Sequence, residues 1–205
     1  MRDSSMEKPL PPEILNARQP EYPVHPLILS RWSPRSMTGE PISEEELMSL
    51  LEAAHWAPSS YNAQPWRFIY AFRETSEWER LFSLLIPFNQ EWASKAGVLV
   101  LIVSHKIFEH NQKPSVTHSF DSGAAWGYLA LQGNATGLAI HAMQGFDYDK
   151  AKEVCNIPDD YQVECMVAVG KQGKKEALPE EMQKREAPSK RKPLSEVVMK
   201  GVFKT

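Results

Sequence analysis

The segment from Arg31 to Arg67 contains one helix with well-defined ends and a polar stretch on each side of it. Ser43 and Glu46 have the spacing of a capping box, in which each side chain accepts a hydrogen bond from the other residue's backbone N–H. Apolar residues then recur at helical spacing until Pro58 ends the pattern: Leu47, Leu50, Leu51 and Ala54. The pattern predicts a helix over about residues 44–56.

The rest of the chain alternates between strand-like and helix-like runs. Strands are predicted over residues 67–72, 98–103, 139–143 and 163–169. The run over 98–103 is apolar throughout, which is typical of a fully buried strand. Helices are predicted over 121–136, which Gly137 closes, and over about 149–156. Because strands and helices interleave, the fold class is α/β or α+β.

Composition and charge exclude several classes of protein. The chain has 205 residues, 42% of them hydrophobic and 24% charged, which suits a single packed domain. Its net charge of −3 argues against a nucleic-acid-binding or membrane-surface protein. The N-terminus has no apolar signal segment, and the apolar run over 98–103 is too short to span a membrane. We therefore expect a cytoplasmic protein whose two cysteines, Cys155 and Cys165, are buried or chemically indifferent thiols.

The two ends of the chain differ from its middle. Residues 1–23 contain five prolines and are predicted to form an extended arm, which leaves residues 24–205 as a single domain. Residues 171–192 are rich in charge and poor in apolar side chains, so we predict an exposed connector. Residues 194–203 are apolar again, and such a tail needs a surface to lie on; a partner subunit is one candidate.

Small residues form a stripe on the predicted helix over 121–136, at spacings of three and four: Gly123, Ala124, Gly127 and Ala130. Such a stripe lets another backbone approach closely. Two interpretations remain open at this point, namely packing of the helix on the sheet within one chain, or a buried helix at a subunit interface.

Two polar segments flank the helix over 44–56. Arg31, Ser33 and Arg35 present guanidinium groups and a hydroxyl, which suit a phosphate or the carbonyl-rich edge of a ring; alternatively, they are solvated surface residues. Residues 58–66 form a Ser/Asn/Gln-rich loop between a helix end and a strand start, which suits the presentation of hydrogen bonds. The sequence has no dinucleotide-binding glycine motif, P-loop, metal-ligand spacing or nucleophile–base pattern.

Taken in order, these motifs resemble the N-terminal signature of the nitroreductase family. The motifs are Arg31-x-Ser33-x-Arg35, the helix after Pro41-Ile42-Ser43, and Ala57-Pro58-Ser59-Ser60-x-Asn62-x-Gln64-Pro65-Trp66-x-Phe68. The resemblance continues through Asn89, Asp121-x-Gly123-x-Ala125, Gly137-Leu138, Gln144-Gly145-Phe146-Asp147 and the run from Arg191 to Val198. It covers most of the chain after residue 23.

The resemblance implies an α+β fold, with a central, mostly antiparallel sheet flanked by helices, in an intertwined homodimer. FMN would lie at the subunit interface, with NAD(P)H as the reductant and a small electron-poor molecule, such as a nitroaromatic or a quinone, as the acceptor. The implied reaction is hydride transfer by a ping-pong mechanism. Two alternatives stay open: a flavin or enone reductase on the same scaffold, and a non-catalytic protein that binds or stores FMN.

The resemblance also assigns residues to the phosphate end of FMN. The residues assigned to the ribityl-phosphate and the pyrimidine side are Arg31, Ser33 and Arg35. Arg191, together with Lys190, corresponds to a basic C-terminal phosphate contact. Because Lys192 follows, three cations are available for two family positions. The sequence does not decide which of the three contacts the phosphate.

Other assigned residues surround the flavin ring. Asn89 corresponds to a contact with the carbonyl/imide edge, and Gln144 and Gly145 to the turn whose backbone faces N5. The loop that covers the dimethylbenzene end from the other subunit corresponds to Pro58, Ser59, Ser60 and Asn62. The flavin performs the chemistry in this family, so no catalytic residue is assigned.

The chain departs from the family pattern near the flavin. Trp92 stands where many members have a lysine three residues after the asparagine, which removes one positive charge. Ala142 stands where some members have a proline. The adjacent His141 is a packed residue or a proton donor, and Trp126 belongs to the core or stacks on substrate.

Overall fold

The computed structural model of the chain describes residues 10–203. Over this range four strands and nine helices follow in the order α1 Pro12–Ala17, α2 Pro26–Ser30, α3 Glu44–His55, β1 Trp66–Phe72, α4 Ser76–Phe82, α5 Pro87–Ala93, β2 Val98–His105, α6 His118–Ala135, β3 Leu138–Met143, α7 Tyr148–Val154, β4 Tyr161–Lys171, α8 Glu180–Gln183 and α9 Leu194–Val197. Two single 3-10 turns, Ser60–Asn62 and Lys175–Ala177, complete the structure.

The four strands form one antiparallel sheet in the order β1-β2-β4-β3. The two central strands, β2 and β4, pair with Val100 opposite Val167, and a bulge interrupts their register between Ile102 and Val103. The prediction of a fully buried strand over 98–103 is confirmed, because every side chain from Val98 to Ser104 is buried. The sheet therefore has helices on both faces, and the fold class is α+β as the resemblance implied.

Each face of the sheet carries its own hydrophobic cluster. On one face α3 and α6 cover the sheet, and Leu47, Leu50 and Leu129 are completely buried there. On the other face α4, α5 and α7 enclose Trp78, Trp92 and further apolar side chains. Side chains on both sides of the central strands are thus removed from water, which explains the uninterrupted apolar runs in their sequences.

The helix predicted over 44–56 is confirmed as α3. Ser43 Oγ accepts a hydrogen bond from the Glu46 backbone N–H (3.1 Å), and the Glu46 carboxylate accepts one from the Ser43 N–H (2.8 Å). The four predicted strands and α7 are also present, with ends within two residues of the prediction. The long helix α6 begins three residues earlier than predicted, at His118.

The two ends of the chain are more ordered than predicted. The prediction of an extended arm over residues 1–23 is wrong over Pro12–Ala17, which forms α1 and buries Ile14; residues 1–9 lie outside the described residues. The reason is that proline is compatible with the first helical position, where its missing N–H is not needed. The exposed connector predicted over 171–192 is wrong in part, because Leu178, Met182 and Glu186 are buried.

Most of the apolar tail is exposed. Five of its apolar side chains are exposed: Leu194, Val197, Val198, Val202 and Phe203. In the described part of the chain, no helix is long and apolar enough to cross a membrane. The exposed side chains of the tail form an apolar surface.

Candidate functional site

Two groups of predicted site residues lie at opposite ends of α6. At the C-terminal end, Asn134 Nδ2 donates to the Leu27 carbonyl (3.1 Å) and to Ser30 Oγ (2.7 Å), next to Arg31. At the N-terminal end, the Asp121 carboxylate accepts from the Ser60 N–H (3.1 Å). A helical rise of about 1.5 Å per residue puts Asp121 and Asn134 about 20 Å apart. One chain therefore does not bring its arginines and its Ser/Asn loop together.

The arginine end opens on a cavity of about 670 Å³. It lies between residues 16–24, α2 and residues 190–194. Five cationic side chains line it: Arg18, Arg31, Lys190, Arg191 and Lys192. Glu21 is the only acidic residue in the lining, and its carboxylate accepts from the Leu194 N–H (3.0 Å). The balance of charge around the cavity is strongly positive, so the cavity is suited to an anion.

The guanidinium groups of this cavity are close enough to disfavour each other's charge. Burial lowers the pKa of Arg31, and the positive charge of Arg191 lowers it further. Burial lowers the pKa of Arg18 in the same way, with contributions from Arg191 and Arg31. Arginine stays protonated despite such shifts, so the repulsion remains and an anion between the groups would relieve it.

The C-terminal cations lie on the same cavity as Arg31. All three of Lys190, Arg191 and Lys192 line it, so the structure does not reduce the three candidates to two. Arg191 is exposed, and its Nη1 donates to Ser189 Oγ (2.8 Å) within its own segment. Arg31 Nη1 donates to Ser33 Oγ (3.3 Å), which joins two of the predicted residues directly.

Glu186 connects the segment after β4 with Arg35, a role that the sequence did not indicate. One carboxylate oxygen of Glu186 accepts from the backbone N–H groups of Arg35 (2.8 Å) and Ser36 (2.9 Å). Glu186 is 7% exposed, so these bonds are largely protected from water. Glu186 lies in a charged segment that the sequence predicts to be an exposed connector, so no sequence pattern indicated that its side chain would be buried.

A buried cluster surrounds Asn89, the residue assigned to the carbonyl edge of FMN. Asn89 Nδ2 donates to the Gly145 carbonyl (2.9 Å), and Asn89 Oδ1 accepts from Trp92 Nε1 (3.3 Å). One N–H and one lone pair of the amide remain available. A Cβ on Gly145 would lie 2.6 Å from Asn89 Nδ2, so only glycine permits this approach. Gln144, beside it, is exposed.

His141 packs in this cluster and is neutral near pH 7. Its ring centroid lies 4.6 Å from that of Trp92, and its Nδ1 lies 3.1 Å from the Pro34 carbonyl oxygen. Burial lowers the pKa of His141 to about 4, and the nearby charge of Arg35 acts in the same direction. A neutral imidazole donates to a carbonyl from Nδ1, which leaves Nε2 without a proton. The interpretation of His141 as a packed residue is favoured over that of a proton donor.

The loop at the other end of α6 has an unusual backbone. Tyr61, Asn62 and Gln64 all have left-handed backbone angles, with φ of 53°, 51° and 46°. The Ser59 hydroxyl accepts from the Gln64 N–H (3.0 Å), and Asp121 holds Ser60. Non-glycine residues adopt this conformation at a cost, and such strain occurs mostly at functional sites. Pro58, Tyr61 and Asn62 are exposed, so the loop presents its groups away from its own chain.

The outward face of α6 is uncovered. A Cβ on Gly123 or Gly127 would meet nothing within 4 Å, whereas Ala130 is buried. Packing of the helix on its own sheet therefore accounts for Ala130 but not for the two glycines. Beside them is a cavity of about 210 Å³, which Trp126 lines. In the part of the chain that the structure describes, Trp126 Nε1 is buried without a hydrogen-bond partner.

The described residues contain no cluster of metal ligands and no activated thiol. No group of three or more potential metal ligands occurs among residues 10–203. Both cysteines are free thiols, as predicted. Burial raises the pKa of Cys165 to about 12 and also raises that of Cys155, so neither is a reactive thiolate at neutral pH.

The antiparallel α+β fold of the chain is also found in a solved oxidoreductase structure. The chain belongs to the nitroreductase family, whose model matches residues 28–86 and 76–171. It is similar to a solved structure described as an oxidoreductase containing FMN, with 47% identity, a TM-score of 0.87, and coverage of 91% of this chain and 96% of the other.

More distant relatives agree on the family. A Thermus thermophilus NADH dehydrogenase is 28% identical over an alignment of 173 residues. The alignment covers 69% of this chain and 83% of that protein. A Streptomyces coelicolor protein, provisionally named as an NADH dehydrogenase/NAD(P)H nitroreductase, is 32% identical over 132 residues, 55% of this chain and 64% of the relative. A Desulfovibrio desulfuricans structure solved with FMN has the same fold, with a TM-score of 0.69 and 24% identity over 90% of this chain and all of that one.

Proposed function

We propose that this protein is a homodimeric FMN-dependent oxidoreductase that uses NAD(P)H to reduce a small electron-poor acceptor. The observation that carries the proposal is the cavity lined by five cations, at which Arg31 donates a hydrogen bond to Ser33. The next residue, Pro34, leads to the cluster around Asn89, because its carbonyl contacts His141 and His141 packs on Trp92. Two similar structures are described as containing FMN, and two relatives are named as NADH dehydrogenases or as NADH dehydrogenase/NAD(P)H nitroreductases. These names support the choice of cofactor and reductant.

The residues of the cavity fit the phosphate of FMN. Nε and Nη2 of Arg18 are buried and have no hydrogen-bond partner in the described part of the chain. Buried charged donors without an acceptor are costly, and a phosphate dianion would supply oxygen atoms for them. The cavity also extends well beyond the volume of a phosphate, which leaves room for a ribityl chain. Arg31, Lys190 and Arg191 would bind the phosphate, and Ser33 the adjoining chain.

The ring would lie against Arg35, Asn89 and the Gln144–Gly145 turn. When bound, FMN supplies the redox chemistry, since it accepts hydride from NAD(P)H and passes two electrons to the acceptor in a ping-pong sequence. Arg35 would place positive charge beside the pyrimidine edge. The neutral His141 adds none, and Trp92 removes the charge that a lysine would contribute, so Arg35 is the principal positive charge in this cluster. Asn89 retains one N–H donor for the ring edge, and Gly145 holds its amide in place.

The loop from Pro58 to Asn62 would serve the FMN of the partner subunit. It lies about 20 Å along α6 from the arginines of its own chain, and its exposed residues point away from that chain. Three uncovered apolar features support a dimer: the glycine face of α6, the exposed Phe120 beside it, and the tail that ends at Phe203. A homodimer would cover all three and complete both sites.

The experiment is a titration followed by an activity screen. The protein, freed of any flavin by washing at high salt, is titrated with FMN and its mass in solution is measured. We expect tight FMN binding by a dimer, and oxidation of NADH or NADPH in the presence of a nitroaromatic or a quinone. A monomer that does not bind FMN would contradict the proposal.

Two other functions give different results in the same screen. A flavin or enone reductase would bind FMN but reduce free flavin or an activated alkene in preference to nitroaromatics and quinones. A non-catalytic FMN-binding or storage protein would bind FMN and oxidise neither nicotinamide with any acceptor. We favour an enzyme over a storage protein because the exposed loop from Ser59 to Gln64 has a strained backbone, and such strain clusters at active sites.

A further inference from the structure

Arg18 lies outside the part of the chain that the family model matches, yet it reaches the phosphate end of the site. It follows α1 directly, and its Nη1 donates to the carbonyl oxygens of Leu29 (2.5 Å) and Arg31 (2.6 Å). These two bonds attach the N-terminal arm to the end of α2, beside the Arg31 backbone. They use one nitrogen of the guanidinium group, and two nitrogens remain.

The remaining donors of Arg18 have no acceptor within the described residues. Nε and Nη2 are both buried and unpartnered. Glu21, the only carboxylate in the cavity lining, is engaged by the Leu194 N–H. The nearest charges that act on Arg18 are the guanidinium groups of Arg191 and Arg31, which repel it. Three guanidinium groups without a free carboxylate repel one another, and an anion among them would relieve this repulsion.

We infer that Arg18 is a further phosphate ligand, contributed by the N-terminal arm, and that it makes the site selective for FMN over riboflavin. This inference rests on the proposed function. FMN and riboflavin differ only in the phosphate, so a side chain that binds the phosphate affects the affinity for FMN alone. A side chain that merely holds the arm and α2 in place affects the affinity for both flavins equally.

The experiment compares the affinities of the dimeric apoprotein for FMN and riboflavin, measured by the quenching of flavin fluorescence. The variants are Arg18→Ala, Arg18→Lys and, as a matched control, Arg80→Ala, which removes an exposed arginine from α4 on a different part of the molecule. We expect Arg18→Ala to weaken FMN binding by at least about tenfold, the range for a hydrogen bond to a charged group, and to leave riboflavin binding unchanged. Arg18→Lys retains a charge without the planar fork and should lose less. Arg80→Ala should change neither affinity.

Each other outcome overturns the inference. Equal losses for both flavins would mean that Arg18 acts only on the arm, and unchanged affinities would mean that it does not contact the phosphate. If Arg18→Ala does not fold, as judged by thermal unfolding of the apoprotein, the ratio of the two affinities in Arg18→Lys decides the question. Failure of the wild-type protein to bind FMN would instead contradict the proposed function, so the two failures are distinguishable.

Discussion

The neutral His141 beside Trp92 makes the stability of the protein depend on pH in a defined way. Its folded-state pKa of about 4 lies below the ordinary value of 6.5. Between these two values the unfolded chain binds more protons than the folded one, so the free energy of unfolding decreases as the pH falls. The stabilisation is fully present above pH 6.5 and is lost progressively towards pH 4. The perturbation that tests this is His141→Gln, which retains a donor for the Pro34 carbonyl and does not titrate.

The size of the effect follows from the two pKa values. Proton linkage for one group, calculated with an unfolded pKa of 6.5 and a folded pKa of about 4, removes about 2 kcal/mol between pH 7 and pH 5. The wild-type free energy of unfolding should therefore fall by about 2 kcal/mol more than that of His141→Gln over this interval. Loss of the contact with Trp92 lowers the stability of the variant by the same amount at both pH values and cancels in this difference.

The assay is urea unfolding at pH 7 and pH 5, followed by tryptophan fluorescence. The protein concentration is held constant because the stability of an assembled protein depends on it. The matched control is His55→Gln, which removes an imidazole from the exposed end of α3 and leaves the one against Trp92 in place; it should retain the wild-type difference. If His141→Gln loses as much stability as the wild-type protein between the two pH values, the assignment of a depressed pKa to His141 is wrong.

Three further predictions concern the site and the dimer. Arg31→Ala should weaken FMN binding by about 1.5–3 kcal/mol, as measured by titration; unchanged affinity would contradict the placement of the phosphate. Gly145→Ala should lower the free energy of unfolding by about 1–3 kcal/mol, since the new Cβ would meet Asn89 Nδ2 at 2.6 Å and Ile86 Cδ1 at 2.7 Å; an unchanged urea midpoint would show that these side chains move aside without cost. A Cβ at position 127 has nothing within 4 Å in its own chain, so Gly127→Leu should yield a folded monomer in light scattering; a stable dimer of this variant would exclude this face from the interface.

Elements whose cause is local were predictable from the sequence. The capping box of Ser43 and Glu46 and the apolar spacing behind it depend on residues within one or two turns, and α3 ends within one residue of its predicted end. The strands β2 and β4 are apolar because helices cover both faces of the sheet, so their sequences report their burial directly. By contrast, α4 and α5 are short helices that their sequences did not reveal, and tertiary packing stabilises them.

Part of the candidate site was also predictable. Arg31, Ser33, Arg35 and the C-terminal cations were identified from the motifs that resemble the family, and the structure brings Arg31 to one cavity with Lys190 and Arg191. The bond between Asn89 and Trp92 joins residues three apart in one helix, so a search for polar pairs at that spacing would have found it.

The sequence by itself determined the four strands, the helices α3, α6 and α7, the apolar faces and the residue types that suit a phosphate. The tertiary structure alone decided that Arg18 joins Arg31 at the cationic cavity, that Glu186 holds Arg35, and that the loop after Pro58 lies far from Arg31 in its own chain. Glu186 and Arg35 are separated by 151 positions. Such a contact depends on how the whole chain closes rather than on any pattern beside either residue, and a proline-rich arm or a charged connector carries no local sign of the partner that it meets.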